Sequence, residues 1–191
     1  MPRYPDGMVT DRVLVPLAEG FEEIEAVTIV DVLRRAELDV TVAGLTPGPL
    51  TGSRGVRLLP DVQFADVEPL DYDVLVLPGG MGGTLAMMED ARLLAGVRAF
   101  HADGRLVAAI CAAPMVLARA GIVDGVPLTA HPGVQDRLGA AEVRAEPRVL
   151  SSGRVLTSQG PGTAMEFALA LVEELRGSAK RRELERAMVV A

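Results

Sequence analysis

The sequence predicts an α/β fold, an open and mostly parallel sheet with helices packed against it. Two observations point there. The apolar runs RVLVPL (12–17), DVTVAGL (39–45), VLVL (74–77) and LVAAI (106–110) have the length and composition of buried strands. Amphipathic stretches alternate with them, and that alternation is the signature of strand–helix–strand units. There is no internal repeat, low-complexity segment or linker, and 191 residues suit one domain with a sizeable core.

Taken in order, residues 1–11 read as a loose lead-in and residues 12–191 as a single domain. After the first strand, Ile24, Val27, Val30 and Leu33 recur at helical spacing. Acids open this helix and Arg34 and Arg35 close it, both in the sense that suits the helix dipole. The segment 46–61 is rich in turn residues and leads into a hairpin or edge strand around Val56–Leu59. A helix is expected over Asp90–Ala102, and another from about Ala112 to Gly121. Pro114 fixes the start of the latter, because proline is tolerated only in a helix's first turn. PLTAHPG (127–133) holds a short strand and a turn, and the apolar segments on either side of Ser152-Gly153 form a hairpin. Thr163 with Glu166 three residues on reads as a capping box. The helix it opens presents Ala164, Phe167, Ala168, Leu171, Val172 and Leu175 on one face and stops at Gly177, before a last helix over 178–191.

Composition narrows the function classes. A net charge of −7 with no basic cluster argues against nucleic acid as a partner. The longest apolar run, 106–118, is interrupted by Pro114 and too short to span a bilayer, and the N-terminus has no signal-peptide core. A cytoplasmic protein without membrane attachment is expected. The one cysteine allows neither an internal disulfide nor a cysteine-only metal site, and neither histidine has metal-site spacing, so no metal is expected.

In open α/β sheets ligands bind outside the carboxyl ends of the strands. Three strands end there in chemistry-bearing residues: the first runs into Glu22, Glu23 and Glu25, the third into Gly79-Gly80, the fourth into Cys111. Cys111 falls at a strand-to-helix turn, where backbone N–H groups and the helix dipole favour a thiolate, so it should titrate well below the free-thiol value of about 8.5. The alternative is a small buried hydrophobe, the usual fate of a free cysteine. The N–H groups of Gly79, Gly80 and Ala112 would form an oxyanion pocket, although a glycine pair is equally a plain turn. Three acids at a helix start are ordinarily solvated dipole partners. Glu25, flanked by Ile24, Ala26 and Val27, is the one expected to turn inward, and beside a thiolate its pKa should be raised. His131 lies at a strand end and can face the same crevice, whereas His101 reads as a surface residue.

The motifs EGFEEIEA, DVLRRAELDVTVAGL, DVLVLPGG, AAICAAP, the lone HP and LTSQGPGTAMEFALALVEEL resemble the ThiJ/PfpI superfamily, and within it the Parkinson's-associated protein deglycase (DJ-1-like) branch. The resemblance runs from about Arg12 to the C-terminus. It implies a flavodoxin-like sandwich with a nucleophile elbow at Cys111, and a protonated Glu25 against the sulfur. It further implies oxyanion N–H groups from Gly80 and Ala112, and His131 nearby. It also implies a homodimer joined partly through the first helix and the segment containing Arg54. Ala112 stands where peptidase relatives carry histidine, and the segment 178–191 is an addition typical of this branch; both argue against a peptidase. Gln159 stands where some relatives carry arginine, which would weaken recognition of anionic ligands near the site.

The activity so implied is a cofactor-free glyoxalase or deglycase acting on small α-oxoaldehydes such as methylglyoxal, with a role in carbonyl or oxidative stress. The alternative is a redox sensor or chaperone in which Cys111 is oxidised to a sulfinate without turnover. Isonitrile hydration or another amide-type hydrolysis ranks third.

Overall fold

The computed structural model describes residues 11–190, so all but the last residue of the expected lead-in lies outside the described residues. Seven strands form the central sheet: β1 Arg12–Leu17, β2 Asp39–Gly44, β3 Val62–Gln63, β4 Val74–Leu77, β5 Leu106–Ile110, β6 Val149–Ser152 and β7 Val155–Ser158. Their spatial order is β6-β7-β5-β4-β1-β2-β3. Every pairing is parallel except the β6–β7 hairpin. Of the six parallel strands, β2-β1-β4-β5-β7 follow the doubly wound 2-1-3-4-5 order, whose direction reverses at the β1/β4 boundary.

Successive residues of these strands feed opposite layers. Val13, Val15, Val74, Val76, Ala108 and Ile110 pack into one core, and Leu14, Leu75, Leu77, Val107 and Ala109 into the other. The first layer is covered by α1 (Glu23–Arg35) and α5 (Ala164–Ala187), which lie against each other. The second is covered by α2 (Met81–Glu89), α3 (Ala91–Ala102) and α4 (Pro114–Ala120). Two covered faces explain why the strands read as unbroken apolar runs rather than alternating ones.

Several local expectations need correction. The buried stripe of α1 is Ala26, Ile29, Val32 and Leu33; Ile24 and Val27 are 58% and 49% exposed and leave an apolar strip on the surface. Helix α2 is additional to the expected elements. Gly82 and Gly83 are poor helix formers, yet they let α2 pass close to the 18–21 backbone: a Cβ at Gly83 would lie 3.2 Å from the Phe21 Cα. The Thr163–Glu166 capping box does not form. Thr163 Oγ1 sits 2.6 Å from Ser158 Oγ and donates to the Gly160 carbonyl at 2.9 Å. Glu166 pairs instead with Arg148 at 3.0 Å.

The other expectations of local structure match. Asp90 caps α3 by accepting from the Leu93 N–H at 2.8 Å, and Pro114 is in the first turn of α4. Leu50–Thr51 and Arg57–Leu58 form a small antiparallel ribbon where the edge strand was expected. Pro127–Leu128 pairs with Glu142–Val143. Gly177, at φ 83°, breaks α5, and beyond it Leu184 is buried against the α1 layer. No helix among the described residues is long and apolar enough to cross a membrane.

Candidate active site

The crevice at the β1/β4 boundary receives one functional group from each of three strand ends. Cys111 follows β5 and adopts φ 66°, a left-handed conformation that costs a non-glycine residue roughly 1–2 kcal/mol. Two bonds hold it there. Its N–H donates to the Ser158 carbonyl at 3.0 Å, and its own carbonyl accepts from the His131 N–H at 2.9 Å. The strand therefore ends in an elbow that lifts the sulfur out of the sheet and leaves it half-buried.

Glu25 lies in the first turn of α1 and is fully buried. The Glu22 carboxylate caps α1 by accepting from the Glu25 N–H at 2.8 Å, and the Glu22 N–H donates to the Gly79 carbonyl at 2.9 Å. The helix start is thereby tied to the end of β4. The Glu25 carboxyl bonds with Cys111, and its Oε2 accepts from the Gly79 N–H at 2.8 Å. Its Oε1 is buried without a hydrogen-bond partner.

Burial pushes Glu25 up from 4.5 to about 7, against the opposing pull of the Gly79 N–H. Burial, and then the neighbouring Glu25 carboxylate, push the Cys111 thiol up to about 12. The N–H groups of Gly80 and Ala112, both bonded to the sulfur, act in the opposite sense. The pair thus titrates as one coupled unit, which loses its first proton near neutrality and then shares the one that remains. This runs against the expectation that the elbow alone would hold Cys111 well below a free thiol, because burial, and then the Glu25 carboxylate, outweigh the N–H donors. A reactive thiolate arises when the shared proton rests on Glu25.

The glycine pair divides its work. A Cβ at Gly79 would lie 2.6 Å from the Cys111 Cβ and 2.7 Å from Glu25 Oε2, so only glycine fits between them. Its N–H is committed to Glu25, and the expectation that Gly79 lends an oxyanion donor does not hold. Gly80, at φ 92°, turns its N–H to the sulfur. The donors around the sulfur are therefore those of Gly80 and Ala112.

His131 is brought to the elbow by its backbone, while its ring is exposed and Nδ1 accepts from the Gly133 N–H at 3.1 Å. Gln159 uses its amide nitrogen to bridge Thr129 Oγ1 at 3.1 Å and the Ala145 carbonyl at 2.6 Å. His101 is exposed, as expected.

Glu23 was read only as one of three solvated acids, yet it is buried. It accepts from the Arg54 N–H at 2.5 Å, from Ser53 Oγ at 3.1 Å and from the Val56 N–H at 3.4 Å. Burial pushes its carboxyl up, but these donors outweigh burial and hold it below 4.5. Its partners lie some thirty residues away in sequence, so no local pattern announces the role. Among the described residues, no three His, Cys, Asp or Glu side chains gather as a metal site would require.

With this geometry in place, likeness to known proteins becomes decisive. The DJ-1/PfpI family model matches residues 11–174. Drosophila melanogaster protein dj-1beta is 45% identical over 180 residues, covering 93% of this chain and 96% of that protein. The chain belongs to the DJ-1/PfpI family. The crystal structure of Drosophila DJ-1beta superimposes with a TM-score of 0.92 over 96% of this chain and all of that one, at 44% identity. The flavodoxin-like α/β sandwich is thus the family fold. A Caenorhabditis elegans relative named glutathione-independent glyoxalase DJR-1.2 is 37% identical over 94% of this chain and 95% of its own. A structure of Toxoplasma gondii DJ-1 described as oxidized aligns with a TM-score of 0.90 over 95% of this chain and all of that one, at 39% identity.

Proposed function

We propose that this DJ-1/PfpI family member is a cysteine-dependent, glutathione-independent glyoxalase that converts small α-oxoaldehydes such as methylglyoxal to 2-hydroxy acids. One observation carries the reading: a fully buried carboxyl, held by the Gly79 N–H, lies beside a half-buried cysteine set in a left-handed elbow at a strand end. That is a nucleophile, an acid–base group and an oxyanion site within one cluster. A relative named as a glyoxalase, aligned over nearly the whole chain, supports the same assignment.

The reaction needs no outside oxidant or reductant. With the shared proton on Glu25, the Cys111 thiolate adds to the aldehyde carbon. The Gly80 and Ala112 N–H groups stabilise the developing oxyanion, and Glu25 protonates it to a hemithioacetal. The Glu25 carboxylate then removes the hydrogen from that carbon and delivers a proton to the neighbouring one, converting the pair to a thioester and a secondary alcohol. Water cleaves the thioester, releasing the hydroxy acid and the thiol. His131, whose Nε2 is left available by the Nδ1 bond to Gly133, assists the proton movements at the crevice mouth. Deglycation would use the same addition once a hemithioacetal or aminocarbinol has reverted to the free aldehyde and its thiol or amine, and a role in carbonyl stress follows from the substrate class. A reducing cytoplasmic setting suits the single free thiol.

The redox-sensor reading has its own support. The donors that would hold an oxyanion would equally hold sulfinate oxygens, and a similar solved structure is described as oxidized. One comparison separates the two readings. Methylglyoxal turnover by wild type that disappears in Cys111→Ser supports the enzyme. A wild-type rate no greater than that of Cys111→Ser overturns it and leaves the sensor.

A further inference from the structure

The rim of the crevice carries a cation that the mechanism above does not use. Met81 directly follows Gly80, whose N–H meets the Cys111 sulfur, and its side chain is 42% exposed. Across the opening, the 3-10 turn Pro132–Arg137 starts at His131, whose N–H is bonded to the Cys111 carbonyl. The two walls meet at one contact, in which Arg137 Nη1 donates to the Met81 sulfur at 3.9 Å.

A thioether is a weak acceptor and carries no charge, so this contact positions the guanidinium without neutralising it. Among the described residues, no carboxylate lies within salt-bridge distance of Arg137, whereas Arg144 and Arg148 in the following segment are both paired. The chain as a whole is acidic, so an exposed cation without a carboxylate partner is a local reversal of the field a ligand meets.

From this arrangement we infer that Arg137 is a specificity-determining residue that draws carboxylate-bearing carbonyl compounds to Cys111 in preference to neutral ones. Planar guanidinium donors match a carboxylate in two-point geometry. The contact with Met81 fixes the guanidinium beside the opening, so an anionic group would be held at the rim while the carbonyl reaches inward to the sulfur. The inference rests on Cys111 being the reacting thiol of this crevice, not on glyoxalase turnover.

The test uses two alkylating reagents of similar size, iodoacetate and iodoacetamide, on the full-length protein. Cys111 is the sole thiol, so each rate constant reports this crevice alone. Arg137→Gln should lower the iodoacetate-to-iodoacetamide rate ratio by about 3- to 10-fold at low ionic strength, in the range expected for local steering by one charge. Arg137→Lys should keep most of the wild-type ratio, and raising the salt should bring wild type toward the glutamine variant. A ratio that Arg137→Gln leaves unchanged at low salt overturns the inference. Failure of methylglyoxal turnover would sink the glyoxalase reading and leave this ratio untouched, so the two can fail separately.

Discussion

The Gly79 N–H donates to Glu25 Oε2 at 2.8 Å, and that bond aims the only fully buried glutamate among the described residues at the only cysteine in the chain. Gly79 can do this because it has no Cβ to place between them, and because its carbonyl is held by the Glu22 N–H in turn. These backbone groups set the position of Glu25, while burial sets its protonation against the pull of the Gly79 N–H.

Stability should fall with rising pH through Glu25. Its folded value is raised from 4.5 to about 7, so its contribution is fully present below 4.5 and is lost as pH rises through about 7. The difference corresponds to about 3 kcal/mol. Glu25→Gln keeps an acceptor for the Gly79 N–H but cannot ionise. Denaturant unfolding at pH 4.5 and pH 7.5, should show the variant gaining on wild type by roughly that amount between the two. Parallel curves for the two proteins would contradict the assignment.

The same substitution should lower the Cys111 titration. Part of the rise to about 12 comes from the Glu25 carboxylate, by its charge and its hydrogen bond. Ultraviolet thiolate absorbance, with Cys111→Ser as the blank, should move to lower pH in Glu25→Gln than in wild type. Turnover of methylglyoxal should nevertheless drop by ~10²–10⁴-fold, the usual worth of general acid–base catalysis. A thiol midpoint that stays put or rises in the variant would mean that the two groups do not share a proton.

The apolar strip left outside the core should be a self-association surface. Ile24 and Val27 on α1 are 58% and 49% exposed, and Val56, in the loop that Glu23 pins to the start of α1, is 54% exposed. Exposed apolar side chains grouped at one helix start are the kind of surface that marks an interface. Sedimentation should find a dimer for wild type and a monomer for Ile24→Glu with Val27→Glu. A monomeric wild type, or a dimer indifferent to both charges, would place the interface elsewhere or nowhere.

Much of the fold is legible in the sequence because the four main strands are buried on both faces and read as unbroken apolar runs. Cys111 and Glu25 are legible because of where the strands end. What escaped notice depends on partners remote in sequence. Ile24, Val27, Val30 and Leu33 fit a helical period as well as the true core stripe does, and only the placement of the sheet and α5 selects Ile29 and Val32 for burial. Gly82-Gly83 argue against a helix by propensity, and the close passage of the 18–21 backbone is what makes them suitable. Thr163 looks like a cap until Ser158 and Gly160 compete for its hydroxyl. The thiol follows the same logic: the turn geometry favours a thiolate, but burial and then the Glu25 charge, both supplied by elements remote in sequence, oppose it.

The left-handed backbone at Cys111 has a consequence for how the chain can drift under mutation. Glycine at position 111 would relieve the φ 66° conformation and fold more comfortably than the residue that reacts, while a β-branched side chain would fare worse than either. The shortest route to a sturdier fold at this bend is thus the one that removes the thiol, and with it the chemistry proposed for the crevice.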